Sequence, residues 1–285
     1  MTTQLFLAPA AAGKTAYILD LVQGAAQDLQ ATPKVVVPTY LQARAWRRRM
    51  AEAGGTIGVR VLTFDRLYAE CLDAAGEAYT ELSEPVQYRL IRAMVDNLQL
   101  DHYAPLVAFP GFIQVLERLI GELKAARIHP DDFAQAVAGM GGEPRLRELA
   151  QIYAAYQERL QLQGWADRAG LGWLAVEALE ERAPQVGGDW PLLVVDGFDN
   201  FTSVQLALLQ VLASRVGKTI ITLTGTSDGR ERPLVHRRFD ETRKKLEAAL
   251  GVQGSPDPGT GIAPGRRAGA SGGIPVPHAV YAGGS

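Results

Sequence analysis

Five short apolar runs punctuate the chain: Gln4–Leu7, Lys34–Pro38, Val59–Phe64, Leu192–Asp196 and Thr219–Thr224. Each is too short and too rich in β-branched residues for a helix and reads as a buried strand. Between the first two lies TAYILDLVQGAAQDLQ, with Ile18, Leu21, Val22 and Ala25 at helical spacing, and LQARAWRRRMAEAG after the second is helical too. Strand, helix, strand, helix, strand predicts a parallel sheet with crossover helices.

From about Ser83 to about Val186 the pattern changes to long helical segments with no convincing strand. Ser83 caps the first, with Pro85 in its opening turn. Others start at Gly111, after Pro130-Asp131-Asp132, at Glu143 and at Arg168. Asp131 and Asp132 read as first-turn acids that favour a helix N-terminus, not as catalytic carboxylates. The expected layout is an α/β chain whose sheet is interrupted by an all-helical insertion: 1–82 and 188–250 as the two parts of the sheet domain, 83–187 as the insertion, and 251–285 as a tail.

Composition supports that division. From Gly251 onward, ten Gly and five Pro occur in 35 residues, a segment expected to bury too little side chain to offset the entropy of ordering it. Hydrophobic residues make up 47% of the chain, and 29 Lys+Arg oppose 31 Asp+Glu for a formal charge of -2. This excludes a uniformly basic nucleic-acid coat while allowing a local basic patch. The single cysteine, Cys71, forms no internal disulfide, and His102, His129, His236 and His278 share no ligand-like spacing. No apolar stretch approaches the roughly 20 residues of a membrane span, and Lys14 would interrupt a signal peptide's core. A cytoplasmic protein with no membrane partner is expected.

The chemistry concentrates after the first strand, in Leu5-Phe-Leu-Ala8-Pro-Ala-Ala-Ala-Gly13-Lys14-Thr15. A strand–loop–helix carrying Gly-Lys-Thr predicts a phosphate loop. Backbone N–H groups of Ala10, Ala11, Ala12 and Gly13 would surround a phosphate, Lys14 would neutralise β/γ oxygens, and the Thr15 hydroxyl would ligate Mg²⁺. The general pattern G-x-x-x-x-G-K-S/T asks for glycine where Ala8 stands. A second Gly217-Lys218-Thr219 precedes a strand, so no helix N-terminus faces a phosphate there, and it is not read as a site. Asp196, ending the run Pro191-Leu-Leu-Val-Val, is the expected acid that holds Mg²⁺. Gly197 follows where a hydrolytic motor would carry a glutamate to orient the attacking water, and Asp199 is too displaced to replace it. Binding of ATP is therefore better supported than its hydrolysis.

LFLAPAAAGKT, VVVPTYLQARAWRRRM, VRVLTFDRLYAECL and above all LLVVDGFDNFTSVQLALLQVL resemble the N-terminal part of AddB/RexB-type subunits of bacterial ATP-dependent helicase–nucleases. The resemblance spans about residues 1–250. It implies a RecA-like domain binding ATP and Mg²⁺, acting in DNA double-strand-break repair and recombination alongside a motor subunit of AddA/RexA type. It also implies that Thr39 and Tyr40, and Thr63, Phe64 and Arg66, face single-stranded DNA or a duplex end. Hydroxyls at strand ends can hold phosphates, and Tyr40 or Phe64 can stack on a base. Phe64 reads equally well as a core residue. Arg44, Arg47, Arg48 and Arg49 form the one dense basic run, a DNA contact or a solvated helix face. Members of this family are several times longer and end in a nuclease with a cysteine-ligated cluster. Glu122-Leu-Lys124 and Pro130-Asp131 do not reproduce a nuclease signature, so the chain reads as the front part of a longer protein. The alternatives are a small stand-alone P-loop NTPase or kinase with a helical lid, and a binding module whose glycine-poor loop has lost nucleotide affinity.

Overall fold

The computed structural model describes residues 1–9, 13–225 and 233–256, with backbone alone at 233–238 and 255–256. The first half of the sheet alternates strand and helix: β1 (Thr2–Ala8), α1 (Lys14–Ala25), β2 (Lys34–Val36), α2 (Tyr40–Glu52), β3 (Arg60–Leu62) and α3 (Phe64–Ala75). A predominantly helical stretch follows: β4 (Thr80–Glu81), α4 (Glu84–Asn97), α5 (Pro110–Ala125), α6 (Pro130–Gly139), α7 (Pro144–Gln163), β5 (Trp165–Ala166) and α8 (Arg168–Glu177). The chain then returns through β6 (Leu192–Val195), α9 (Ser203–Ala213), β7 (Lys218–Thr224), α10 (Pro233–Leu250) and β8 (Gly254–Pro256).

The fold is α/β, with one six-stranded sheet of order β3-β2-β6-β7-β1-β8 in which every pairing is parallel. Side chains alternate between its faces, as the pleat requires. On one face Phe6, Val35, Val37, Val194 and Ile220 pack against Ile18 and Val22 of α1 and against Ala43 and Trp46 of α2. On the other, Leu5, Leu7, Val36, Leu193, Val195, Ile221 and Leu223 meet α3, α8, α9 and Leu246 of α10. Right-handed crossovers explain the division: steps from β1 toward β3 lay their helices on one face, and steps from β6 toward β8 lay theirs on the opposite one.

The helices α4, α5 and α7 share a separate apolar cluster built from Ile91, Val95, Ile113, Leu116, Ile120, Ile152, Tyr153 and Tyr156. Helix α8 instead packs into the main core. Its Gly172 lies so close to α9 and α3 that a Cβ there would stand 2.7 Å from Val204 and 2.8 Å from Tyr68.

Two expectations change. A strand exists inside the helical stretch, since Trp165–Ala166 pairs in parallel with Thr80–Glu81; two residues are too few for any periodicity to signal. The expected tail also starts too early, because Gly254–Pro256 add to the sheet beside Leu5–Leu7. Its glycine and proline content argued for coil, but an edge position needs backbone hydrogen bonds more than side chains. The rest of that segment, 257–285, lies outside the described residues.

Candidate nucleotide site

Helix α1 starts at Lys14 directly above the carboxyl end of β1, and Gly13 enters it at φ +86, ψ 7, a left-handed conformation that favours glycine. Ala10, Ala11 and Ala12 lie outside the described residues. The Lys14 ammonium donates to the Ala8 carbonyl at 2.7 Å and the Pro9 carbonyl at 2.9 Å, reaching back to the end of β1. Thr15, half-buried, occupies the second position of α1. The other Gly-Lys-Thr is a strand start: Gly217 donates to the Trp190 carbonyl, and Lys218 opens β7.

Asp196 follows β6 immediately and is 8% exposed. Its backbone N–H donates to the Val36 carbonyl at 2.9 Å, continuing the ladder to β2. One carboxylate oxygen accepts from the Thr222 hydroxyl on β7, and the other accepts from the Trp46 indole N–H at 3.0 Å. Only β7 separates β6 from β1, so Asp196 stands about 10 Å across the sheet from the β1 end at the usual strand spacing. In register, Val195 pairs with Ile221 and Leu5 with Ile221, placing Asp196 level with Thr222 and Phe6, two residues below the loop. Both groups thus lie at the carboxyl ends of one parallel sheet. Helix α1, which follows β1, packs on one face of the sheet, and Leu246 of α10, which follows β7, packs on the other.

The donors available for a metal are the Thr15 hydroxyl and the Asp196 carboxylate, hard oxygen ligands that suit Mg²⁺. Among the described residues no group of three or more His, Cys, Asp and Glu could hold a metal. Gly197 takes φ +83, so the backbone after Asp196 is turned in a way that a glutamate adopts only under strain.

The remaining predicted residues fall at the same end of the sheet but are not equivalent. Thr39 is the N-cap of α2, its hydroxyl oxygen accepting from the Gln42 N–H at 3.2 Å, and Tyr40 beside it is 69% exposed. Thr63 occupies the N-cap position of α3, half-buried, and Arg66 is exposed. Phe64 is 4% exposed and packs edge-on against Phe198 at 5.2 Å and Phe201 at 6.3 Å. Its ring is core, and the stacking role for it is corrected: no face is open to a base.

Tyr40, Thr63 and Arg66, with Arg47 and Arg60, line a groove of about 540 Å³ along the β3 edge. Some of the cations in and beside it are already engaged, and Glu70 and Asp73 line it too. Arg47 donates to the Val61 carbonyl at 2.8 Å, and Arg60 and Lys34 both pair with Glu70. Arg44, Arg48 and Arg49 are exposed, Arg48 within 3.5 Å of Glu52.

Sequence reasoning missed Trp46 and Thr222, the two donors to Asp196. A local signal did exist for Trp46: Ala43, Trp46 and Met50 recur at helical spacing inside a basic run, marking the buried stripe of α2. Its partner, 150 residues away, leaves no trace in that pattern.

The fold is of the open parallel α/β class, with a Gly-Lys-Thr segment at the start of the helix that follows β1. A family model described as "ADDB, N-terminal" matches residues 5–252, and the chain belongs to that family. The chain is similar to proteins named as the B-type subunit of an ATP-dependent helicase/deoxyribonuclease. It is 30% identical to that of Moorella thermoacetica over 259 residues, covering 85% of this chain and 22% of the relative. The protein of Natranaerobius thermophilus is 26% identical over 245 residues, 79% of this chain and 20% of the relative. That of Listeria innocua is 23% identical over 231 residues, with the same coverages. The chain therefore spans about a fifth of the length of these relatives. Among the described residues no helix is long and apolar enough to cross a membrane.

Proposed function

We propose that this chain is a RecA-like, helicase-like domain that binds ATP with Mg²⁺, with 83–187 as its helical insertion, and that it serves the cytoplasmic processing of DNA double-strand breaks within a helicase–nuclease. The observation that carries the reading is the Lys14 loop and the Asp196 carboxylate lying one strand apart at the carboxyl ends of a single parallel sheet. Lys14 would exchange its two loop carbonyls for phosphate oxygens, a charge-assisted gain that offsets the lost contacts. Thr15 and Asp196 would hold Mg²⁺, which supplies neutralisation of the β/γ phosphates. Gly197, in place of a water-orienting glutamate, supports nucleotide binding without autonomous turnover.

The names of the relatives, together with the shared family, support a role as one segment of an AddB-type subunit working with an AddA/RexA-type motor on DNA. Thr39, Tyr40, Thr63 and Arg66 are the residues we assign to the strand, with Tyr40 as the stacking ring.

Equilibrium titration with a fluorescent ATP analogue tests the reading. We expect saturable binding in Mg²⁺, at least a tenfold loss in Lys14→Ala, and a shift in affinity when single-stranded DNA is added. No binding at millimolar nucleotide would overturn it. Multiple turnover without DNA would favour an independent NTPase.

A further inference from the structure

The Asp196 carboxylate has a second connection, unrelated to strand order. A buried carboxylate needs donors and a buried indole N–H needs an acceptor. Trp46, 2% exposed, meets both needs from the middle of α2, where an aliphatic or phenyl side chain would have sufficed for packing. Trp46 holds one oxygen and Thr222 the other, fixing the plane of the carboxylate. Each oxygen accepts two hydrogen bonds, so one lone pair on each is left for a metal-bound water.

The same helix reaches the β6 turn a second time. The Gln42 side-chain amide lies 3.5 Å from where a Cβ on Gly197 would stand. Gln42 and Trp46 are one turn apart, and Trp46 is seven residues, about 10 Å of helix, beyond the N-cap Thr39. At that N-terminus Tyr40 and Leu41 stand 69% and 74% exposed. The end of α2 that meets solvent is thus joined, through one helix and one hydrogen bond, to the group that would take the metal.

We propose that Trp46 is the positioning residue for the Asp196 carboxylate and that, through its indole N–H, helix α2 responds to magnesium–nucleotide occupancy. The inference rests on the nucleotide reading above. A shift of Asp196 toward a metal-bound water changes the Trp46 hydrogen bond and, with it, the seating of α2.

The test labels the full chain with 5-fluorotryptophan. Its four tryptophans give four ¹⁹F resonances, and Trp46→Phe identifies one by its loss. We expect the Trp46 resonance to move when Mg²⁺–ADP is added and to stay in place with ADP in EDTA. In Trp46→Phe the gain in ADP affinity that Mg²⁺ confers should fall about tenfold, with affinity in EDTA unchanged. A purely structural role would weaken both alike, and that result overturns the proposal. If Trp46→Phe does not fold, Trp165→Phe, Trp173→Phe and Trp190→Phe assign the other three resonances and leave that of Trp46 by elimination, and the wild-type spectrum then decides. A stationary Trp46 resonance in a complex shown to form by calorimetry overturns the proposal and leaves the nucleotide reading standing. Absence of any ADP binding by the wild type overturns both.

Discussion

Gly197 shows what one residue decides. At φ +83 it occupies a region that costs a side-chain-bearing residue about 1–3 kcal/mol. The space around it is ordinary, with the nearest atoms 3.5 Å and 3.7 Å from a built Cβ, so the cost is conformational. Gly197→Glu is expected to lower stability in urea unfolding by that amount, and to leave ATP turnover below about 1 s⁻¹, the lower end of the ordinary enzyme range. Faster turnover would show that the missing glutamate alone had silenced the site. Cys71 is the opposite case, a residue whose type suggests chemistry that its place forbids. Burial is the main cause that pushes its thiol up to about 12, while Lys34 pulls slightly the other way. Thiolate-selective reagents should therefore leave the native protein unmodified at pH 8 and label it fully in denaturant.

At the scale of elements, two buried acids make connections that periodicity alone does not reveal, one between helices and one between a helix and a loop. Asp167 caps α8 by accepting from the Gly170 N–H, and it also accepts from the Tyr156 hydroxyl on α7 and the Lys124 ammonium on α5, each at 2.8 Å. Lys124 and Asp167 are both 1% exposed. Burial pulls the Lys124 pKa below its ordinary value while Asp167 opposes the shift. Lys124→Met leaves the acid without its cation and is expected to cost about 3–5 kcal/mol in urea unfolding. Adding Asp167→Asn should recover part of that loss.

Glu148 on α7 acts on a loop. Its carboxylate accepts the N–H groups of Asp101, His102 and Tyr103 at 2.9, 2.6 and 3.0 Å, tying them to the helix. Burial raises its pKa, but the three N–H donors together outweigh this and hold it below the ordinary carboxylate range. A depressed carboxylate stabilises the fold above its unfolded pKa of about 4.3 and loses that contribution as pH falls through the lower folded value. Thermal melts from pH 7 to pH 3 should therefore fall less steeply for Glu148→Gln than for the wild type, from a lower starting point.

For the molecule as a whole, the sheet edges matter most. Strand β8 covers β1, the strand that leads to the Lys14 loop, and the Gly254 N–H is held by Glu247 of α10 at 3.0 Å. Ending the chain before Gly254 would turn β1 into an edge with unpaired backbone groups. Hydrogen exchange should then speed up in the peptide covering β1 and stay slow in the one covering β6, which lies between β2 and β7. Equal rates in both would show that β8 contributes nothing to the order of the site.

Much of this was legible in the chain. The five apolar runs, the helical spacing of Ile18 and Val22, and the strand–loop–helix around Lys14 are local patterns, and each is written in consecutive residues by the need to bury one face. The parallel α/β class follows from their alternation. Other features depend on which strands become neighbours: that β7 separates β1 from β6, that Gly254–Pro256 join the sheet, that Phe64 is walled in by Phe198 and Phe201, and that Trp46 finds Asp196. Strand order and register arise when two faces of a sheet are covered at once, and contacts across 150 residues carry no period along the chain. The sequence determined the elements and the residue types at the loop. Tertiary packing alone decided that the acid beside that loop is held by an indole from α2.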